Sequence, residues 1–333
     1  MSMLTFAIAI IVLALIFDFY NGMNDAANSI ATVVSTRVLT PLQGVIWAAF
    51  FNFVAAFVFG VHVANTIGKG IVELSVIDNS LIFAAVMGAV ATTATATHFG
   101  MPISVSHAII GGLGGAAVAK SGFAVLIMSG ITKVVLFIFV APILGLVMAY
   151  AFSIVTIWIV RNQPPRIVDK WFRRLQLVSA AAYSLSHGGN DAQKTMGIIA
   201  LVLFTNGFMP DGFGVPLWVV LISHLFIALG TLFGGWKVIK TLGMRMTKLS
   251  PFGGFSAETS AGLTIIGATT LGIPVSTTHT ITGAIIGVGA VRGFSAVRWG
   301  VARNILWAWV LTIPISAMFS ALSYELVVLV QSL

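Results

Sequence analysis

Phe19-Tyr20-Asn21-Gly22-Met23-Asn24-Asp25 closes an apolar run that begins at residue 4, and a close variant, Ser186-His187-Gly188-Gly189-Asn190-Asp191, stands 166 residues further on. Asn24-Asp25-Ala26 thus recurs as Asn190-Asp191-Ala192, each with a glycine two residues ahead of the Asn, at Gly22 and Gly188. A second element, Pro102-Ile103-Ser104-Val105-Ser106-His107, recurs at an offset of 172 as Pro274-Val275-Ser276-Thr277-Thr278-His279. Between them Thr66-Ile67-Gly68 answers Thr241-Leu242-Gly243 at an offset of 175. Three matches in one order, with slowly drifting offsets, describe a chain built twice. The first repeat is 1–160, a basic linker around Pro164 and Pro165 is 161–175, and the second repeat is 176–333.

The composition outside these motifs names the solvent. Hydrophobic residues make up 58% of the 333 positions and charged residues 8%, with a mean hydropathy of +1.05. A soluble domain carries roughly 25% charged residues, because its surface faces water. Long apolar stretches recur at 4–20, 42–60, 81–96, 123–160, 215–236, 259–273 and 298–330. A helical span needs about 20 apolar residues, so several of these can cross hydrocarbon. The runs are continuous and filled with Gly and Ala, unlike the alternating segments of a membrane β-barrel. The predicted fold is an all-α polytopic membrane protein with two inverted-topology repeats and about 10–12 membrane helices, broken or re-entrant half-helices included.

Charge placement sets the expected orientation. The net charge of +8 does not read as nucleic-acid binding, since Arg161, Arg166, Lys170, Arg173 and Arg174 fill a short interruption between spans, the mark of a cytoplasmic loop. The same reading puts Lys237, Lys240, Arg245 and Lys248, and Arg292, Arg298 and Arg303, inside. Their first-half equivalents, near Lys69, Glu73 and Asp78 and near Lys120, are poor in positive charge and fall outside. Equivalent loops therefore lie on opposite sides, the repeats are inverted, and both termini are expected outside a plasma membrane. Met1 to Thr5 lacks the basic region of a cleaved signal. The chain has no cysteine, which excludes disulfides and thiolate metal sites.

Both paired motifs place residues in apolar segments that hydrocarbon does not tolerate. An ionised Asp at the bilayer centre costs about 3 kcal/mol, so Asp25 and Asp191 are expected to face a polar cavity. Gly22 and Gly188 are expected to let the backbone unwind there. Freed carbonyls beside Asn24, Asp25, Asn190 and Asp191 would then cage Na⁺, or the carboxylates would carry protons. The bland alternative is that Asn and Asp cap the next helix. The second motif suits an anion. Pro102 and Pro274 fit the first turn of a helix. Ser104, Val105, Ser106, Ser276, Thr277 and Thr278 would offer hydroxyls and free N–H groups at its positive end. Gly111, Gly112, Gly114, Gly115, Gly283, Gly287 and Gly289 follow and suit close helix packing. His107 and His279 either touch the anion or lock the turn. Lys194, matched by Asn28, either attracts the anion or pairs with Asp191. Glu258, 16 residues ahead of Pro274 and matched by Val86, is either a third cation or proton site or an interfacial residue. His62, His98 and His224 read as packing or interface residues.

At these motifs the chain resembles the PiT family of inorganic phosphate transporters along nearly its whole length. The family's Gly-x-Asn-Asp pair stands as Gly22-Met23-Asn24-Asp25 and Gly188-Gly189-Asn190-Asp191, and its Pro-x-Ser-x-(Ser/Thr)-His element as Pro102 to His107 and Pro274 to His279. The resemblance implies symport of phosphate with Na⁺ or H⁺, inverted repeats and frequently a homodimer; no cofactor is expected beyond Na⁺ as coupling ion. It also implies that the paired Asp residues hold the coupling cation and the Ser/Thr turns hold phosphate. Strictly Na⁺-coupled members resemble one another in a first-half Glu where this chain has Asn52, while the second-half Glu stands as Glu258. Sulfate permeases of the same architecture are the nearest rival. An intramembrane aspartyl protease would need Tyr-Asp and Gly-x-Gly-Asp, and neither occurs.

Overall fold

The computed structural model describes residues 3–209, 212–239 and 247–332. Apart from one isolated bridge between Val72 and Leu126, the regular structure among them is helical. In chain order the elements are α1 (Met3–Ser35), α2 (Pro41–Val54), α3 (His62–Lys69), α4 (Asn79–Phe99), α5 (Val105–Ser121) and α6 (Met128–Val160). Then come α7 (Pro165–Thr205), α8 (Leu217–Phe233), α9 (Pro251–Thr270), α10 (Thr277–Ala290) and α11 (Trp299–Ser332). Helices α1, α4, α6 and α11 are long and apolar enough to cross a bilayer. The α2–α3 pair, bent by 83° after the 3₁₀ turn Ala55–Phe57, makes a broken fifth candidate. This is an all-α multi-pass membrane protein.

Local signals start the helices. Thr40 and Gln43 form a capping box ahead of Pro41, Asp78 accepts the N–H of Leu81 at α4, and Ser250 accepts that of Gly253 ahead of Pro251 at α9. The order long helix, short helix, half-helices, long helix occurs twice. Pro142 lies inside α6 and Pro314, 172 residues on, inside α11. Lys240 and Arg245, and Thr241-Leu242-Gly243, lie outside the described residues.

The molecule is polar inside and apolar outside, as a lipid solvent requires. Phe139, Ile143 and Val147 of α6 and Leu306, Val310 and Met318 of α11 are exposed, whereas Asn, Asp, Ser, Thr and His side chains of α1, α7, α9 and α10 are buried. The halves interlock reciprocally. A side chain at Gly111 or Gly115 of α5 would strike the backbone of Ile313 or Ala317 on α11, and one at Gly283 or Gly287 of α10 would strike Pro142 or Leu146 on α6. Each half-helix therefore lies against the last long helix of the other half, which explains the small residues there.

Two expectations about the backbone fail. Helices α1 and α7 run unbroken through Gly22 and Gly188, so the Asn-Asp motifs neither unwind nor cap a helix. The glycines serve packing instead: a Cβ at Gly22 would meet the backbone of Ile227 and Thr231 on α8, and one at Gly188 that of Asn52 on α2. Pro102 and Pro274 do not occupy a first helical turn either. They precede the N-caps Ser104 and Ser276 by two residues and hold the incoming loops extended.

Candidate functional site

The site forms where the midpoints of α1 and α7 meet the N-termini of α5 and α10. Ser104 and Ser276 cap α5 and α10, each accepting an N–H at 3.2 Å, from His107 and His279. Ser106 Oγ donates to the Val275 carbonyl at 2.8 Å, joining one helix start to the loop that feeds the other. Asn24 and Asn190 anchor those loops in matching ways. Asn24 donates to Thr97 Oγ1 (3.0 Å) and the Met101 carbonyl (3.4 Å). Asn190 donates to Thr269 Oγ1 (2.8 Å) and the Ile273 carbonyl (3.4 Å). In both residues the amide oxygen stays buried without a hydrogen-bond partner.

Asp25 and Asp191 come together across the two halves. Asp25 accepts from Thr277 Oγ1 at 3.1 Å and Thr278 Oγ1 at 3.2 Å. Asp191 accepts from Lys194 at 2.6 Å, and its second oxygen has no hydrogen-bond partner. His187 Nε2 lies 3.7 Å from Asp25 and 3.8 Å from Asp191. One ligand atom from each of Asp25, His187 and Asp191 falls within 4.8 Å of the others.

A relay from α8 fixes the imidazole tautomer. Thr231 Oγ1 donates to the Ile227 carbonyl (2.9 Å) and accepts from Asn52 Nδ2 (3.0 Å). Asn52 Oδ1 is then the atom 3.1 Å from His187 Nδ1, so Nδ1 carries the proton. In the neutral ring Nε2 is a lone pair facing two carboxylates. Three acceptors in so small a space repel one another unless a cation, metal or proton, enters among them. Across the site four carboxylates (Asp18, Asp25, Asp191, Glu258) and one ammonium (Lys194) are fully or almost fully buried. Fixed negative charge thus stands beside the N-termini of α5 and α10, which attract anions, so places for ions of both signs adjoin.

The remaining expected residues divide. Lys194 pairs with Asp191, and its counterpart Asn28 donates to Thr278 Oγ1 at 2.9 Å. Val105 is the first residue of α5 and buried. The rings of His107 and His279 meet edge to face at 4.8 Å, and His279 stacks on Trp309 at 3.7 Å. Glu258 sits apart from the aspartates, buried rather than interfacial. It accepts from Gln176 Nε2 (3.0 Å) and Ser179 Oγ (2.5 Å), and Gln176 in turn accepts from Thr36 (2.8 Å). Their repeat mates, Val86, Ile10 and Leu13, are apolar, so this cluster has no twin.

Sequence reasoning passed over His187, Asn28, Gln176, Ser179 and Asp18. His187 stands four residues before Asp191, on the same helix face, which is a signal that could have found it. Asp18 was hidden inside a run read as apolar.

Residues 21–320 match the family described as the Phosphate transporter family. The chain belongs to this family. It is 55% identical over 317 residues, 95% of each chain, to a protein of Rhizobium meliloti named "Probable low-affinity inorganic phosphate transporter". A Bacillus subtilis protein of the same name is 42% identical, with 97% of each chain covered. A solved structure described as "The sodium-dependent phosphate transporter" superposes with a TM-score of 0.87 at 29% identity, covering 98% of this chain and 99% of that one. The family is one of transporters, so the protease reading falls away, and nothing among these relatives supports sulfate.

Proposed function

We propose that this phosphate transporter is a symporter of the plasma membrane. It moves phosphate with Na⁺ by alternating access, both termini outside and the two repeats inverted. The observation that carries the reading is the meeting of Asp25, His187 and Asp191, one aspartate from each half, within 4.8 Å. The coupling cation binds there and on the free oxygens of Asn24 and Asn190, with Glu258 as a further cation site. Phosphate binds at the starts of α5 and α10, against Ser104, Val105, Ser106, Ser276, Thr277 and Thr278, with the His107–His279 pair behind them.

Cation entry couples the two. A cation between the aspartates frees the Thr277 and Thr278 hydroxyls, which now donate to Asp25, to donate to phosphate instead. Inversion draws support from the helix directions. Thr36, the residue after α1, bonds Gln176 of α7, while Asp18 of α1 faces Thr195 of α7, so these two equivalent helices run antiparallel, as inverted repeats require. Sodium draws support from the sodium-dependent relative.

One observation favours a proton instead. A proton on His187 Nε2 makes an imidazolium between two carboxylates, and Asn52 holds the ring for it. Uptake of radiolabelled phosphate into liposomes containing the pure protein, with Na⁺ and pH gradients imposed separately, decides. Accumulation driven by Na⁺ at constant pH supports the first reading. Accumulation driven only by the pH gradient replaces it with the second.

A further inference from the structure

Asp18, one of the four buried carboxylates, is given no part in the binding proposed above. It lies in α1 seven residues before Asp25, about 10 Å along the axis at 1.5 Å per residue. Its exposure is 0%, and no cationic side chain among the described residues pairs with it. The amide of Asn21 donates to it at a long 3.5 Å, and the Thr195 hydroxyl also faces it. Asp25, Asp191 and Glu258 each have better partners: two threonine hydroxyls, an ammonium, and an amide with a serine hydroxyl. Around Asp18 the oxygens are left over. Its own Oδ2 and Asn21 Oδ1 are buried without hydrogen-bond partners, and Thr195 Oγ1, buried too, has no closer partner than this carboxylate, which it and the Asn21 side chain both face.

We propose that Asp18, Asn21 and Thr195 form a Na⁺ site separate from the Asp25–Asp191 pair, with α1 supplying two ligands and α7 the third. Hard cations take oxygen ligands, and a carboxylate, a hydroxyl and an amide oxygen are such a set once the Asn21 amide, which here presents Nδ2 to Asp18, turns its oxygen inward. A proton on Asp18 would satisfy one neighbouring oxygen and leave another unmet, whereas a metal ion engages all three. The place is single. By the 166-residue offset the mates of Asp18 and Thr195 are Ser184 and Ser29, which offer hydroxyls but no charge. Asp191 and Lys194 act electrostatically on Asp18, so the site communicates with the centre. With Na⁺ at Asp18 the Lys194 ammonium stays on Asp191; without it, Asp18 competes for that ammonium. The role as a coupling site rests on the symporter reading above, but the binding itself does not.

The test is equilibrium binding of radioactive Na⁺ to the purified full chain, compared for wild type, Asp18→Asn, Thr195→Val and Asp25→Asn. Melting temperatures in sodium and in choline chloride accompany it. Asp18→Asn is expected to bind one Na⁺ fewer per chain and to keep its binding of radiolabelled phosphate. Thr195→Val, which cannot ligate, is expected to weaken the same Na⁺ by about tenfold and serves if the Asp18 variant fails to fold. Asp25→Asn is expected to keep the Asp18 ion. Na⁺ should raise the melting temperature less in Asp18→Asn than in wild type. Equal Na⁺ stoichiometry and affinity in wild type and Asp18→Asn would overturn the site, as would a wild-type protein that binds no Na⁺. If Na⁺ binding depends on Asp18 but Na⁺ drives no phosphate uptake, the site stands and the symporter reading fails.

Discussion

Removing the one buried ammonium should be among the most damaging single changes available to this protein. Lys194 Nζ lies 2.6 Å from Asp191 Oδ1, and both side chains are fully or almost fully buried. At an effective dielectric constant near 20, two unit charges at that distance attract by about 6 kcal/mol. Lys194→Met keeps much of the side chain's volume but leaves Asp191 charged, unpaired and close to Asp25. Breaking a buried pair from one side in this way costs about 3–5 kcal/mol. The expected result is a melting temperature in detergent well below wild type, with coupled phosphate uptake abolished. The double variant Lys194→Met/Asp191→Asn removes both charges and should recover most of the stability without recovering uptake. Phosphate binding in that double variant then separates the two roles of Lys194. Retained binding leaves it as the partner of Asp191, and lost binding adds contact with the anion. A single Lys194→Met variant with wild-type melting and uptake would refute the reasoning.

Glu258→Gln sets an amide nitrogen among the donors of Gln176 and Ser179. It should cost about 1–3 kcal/mol of stability and reduce cation-driven uptake, read by melting and by uptake in liposomes. Gly188→Ala forces α2 away at Asn52, loosening the bond that orients His187, and should cut uptake at least about tenfold on the scale of small misplacements at a site. Gly114→Ala, with open space around the new methyl, should leave uptake and melting unchanged. Because the chain has no cysteine, single cysteines report sidedness cleanly. One near Asp78 should react with an impermeant thiol reagent in intact cells and one near Arg166 should not; the reverse pattern would contradict the proposed orientation.

The membrane class and the recurrence of the paired motifs are legible in the sequence because both are properties of pattern. A bilayer demands long apolar runs, and a repeated motif shows itself by spacing. Asp25, Asp191 and the Ser/Thr turns stand out as candidates for the same reason. What fails is the reading of glycine. Gly22 and Gly188 look like helix breaks from composition alone, yet they are contact points for α8 and α2, and only the fold reveals which backbone passes there. His187 and Asn52 stand 135 residues apart, so no local pattern joins them. Gln176 and Ser179 meet Glu258 about two to three helical turns before the motif that begins at Ser186, outside any pattern the motif shows. Asp18 is a single polar residue in a run whose average is apolar, and averaging conceals it.

The central claim is that Asp25 couples cation and phosphate, and gradient-driven phosphate accumulation by Asp25→Asn protein in liposomes tests it most directly. Asp25 lies in the interior of α1, so a helix-cap role is already excluded and the substitution bears on charge. Folded, monodisperse Asp25→Asn protein is predicted to fail to accumulate phosphate against its gradient under the ion gradient that drives the wild type. Accumulation at the wild-type rate and level would remove Asp25 from the coupling mechanism and contradict the account.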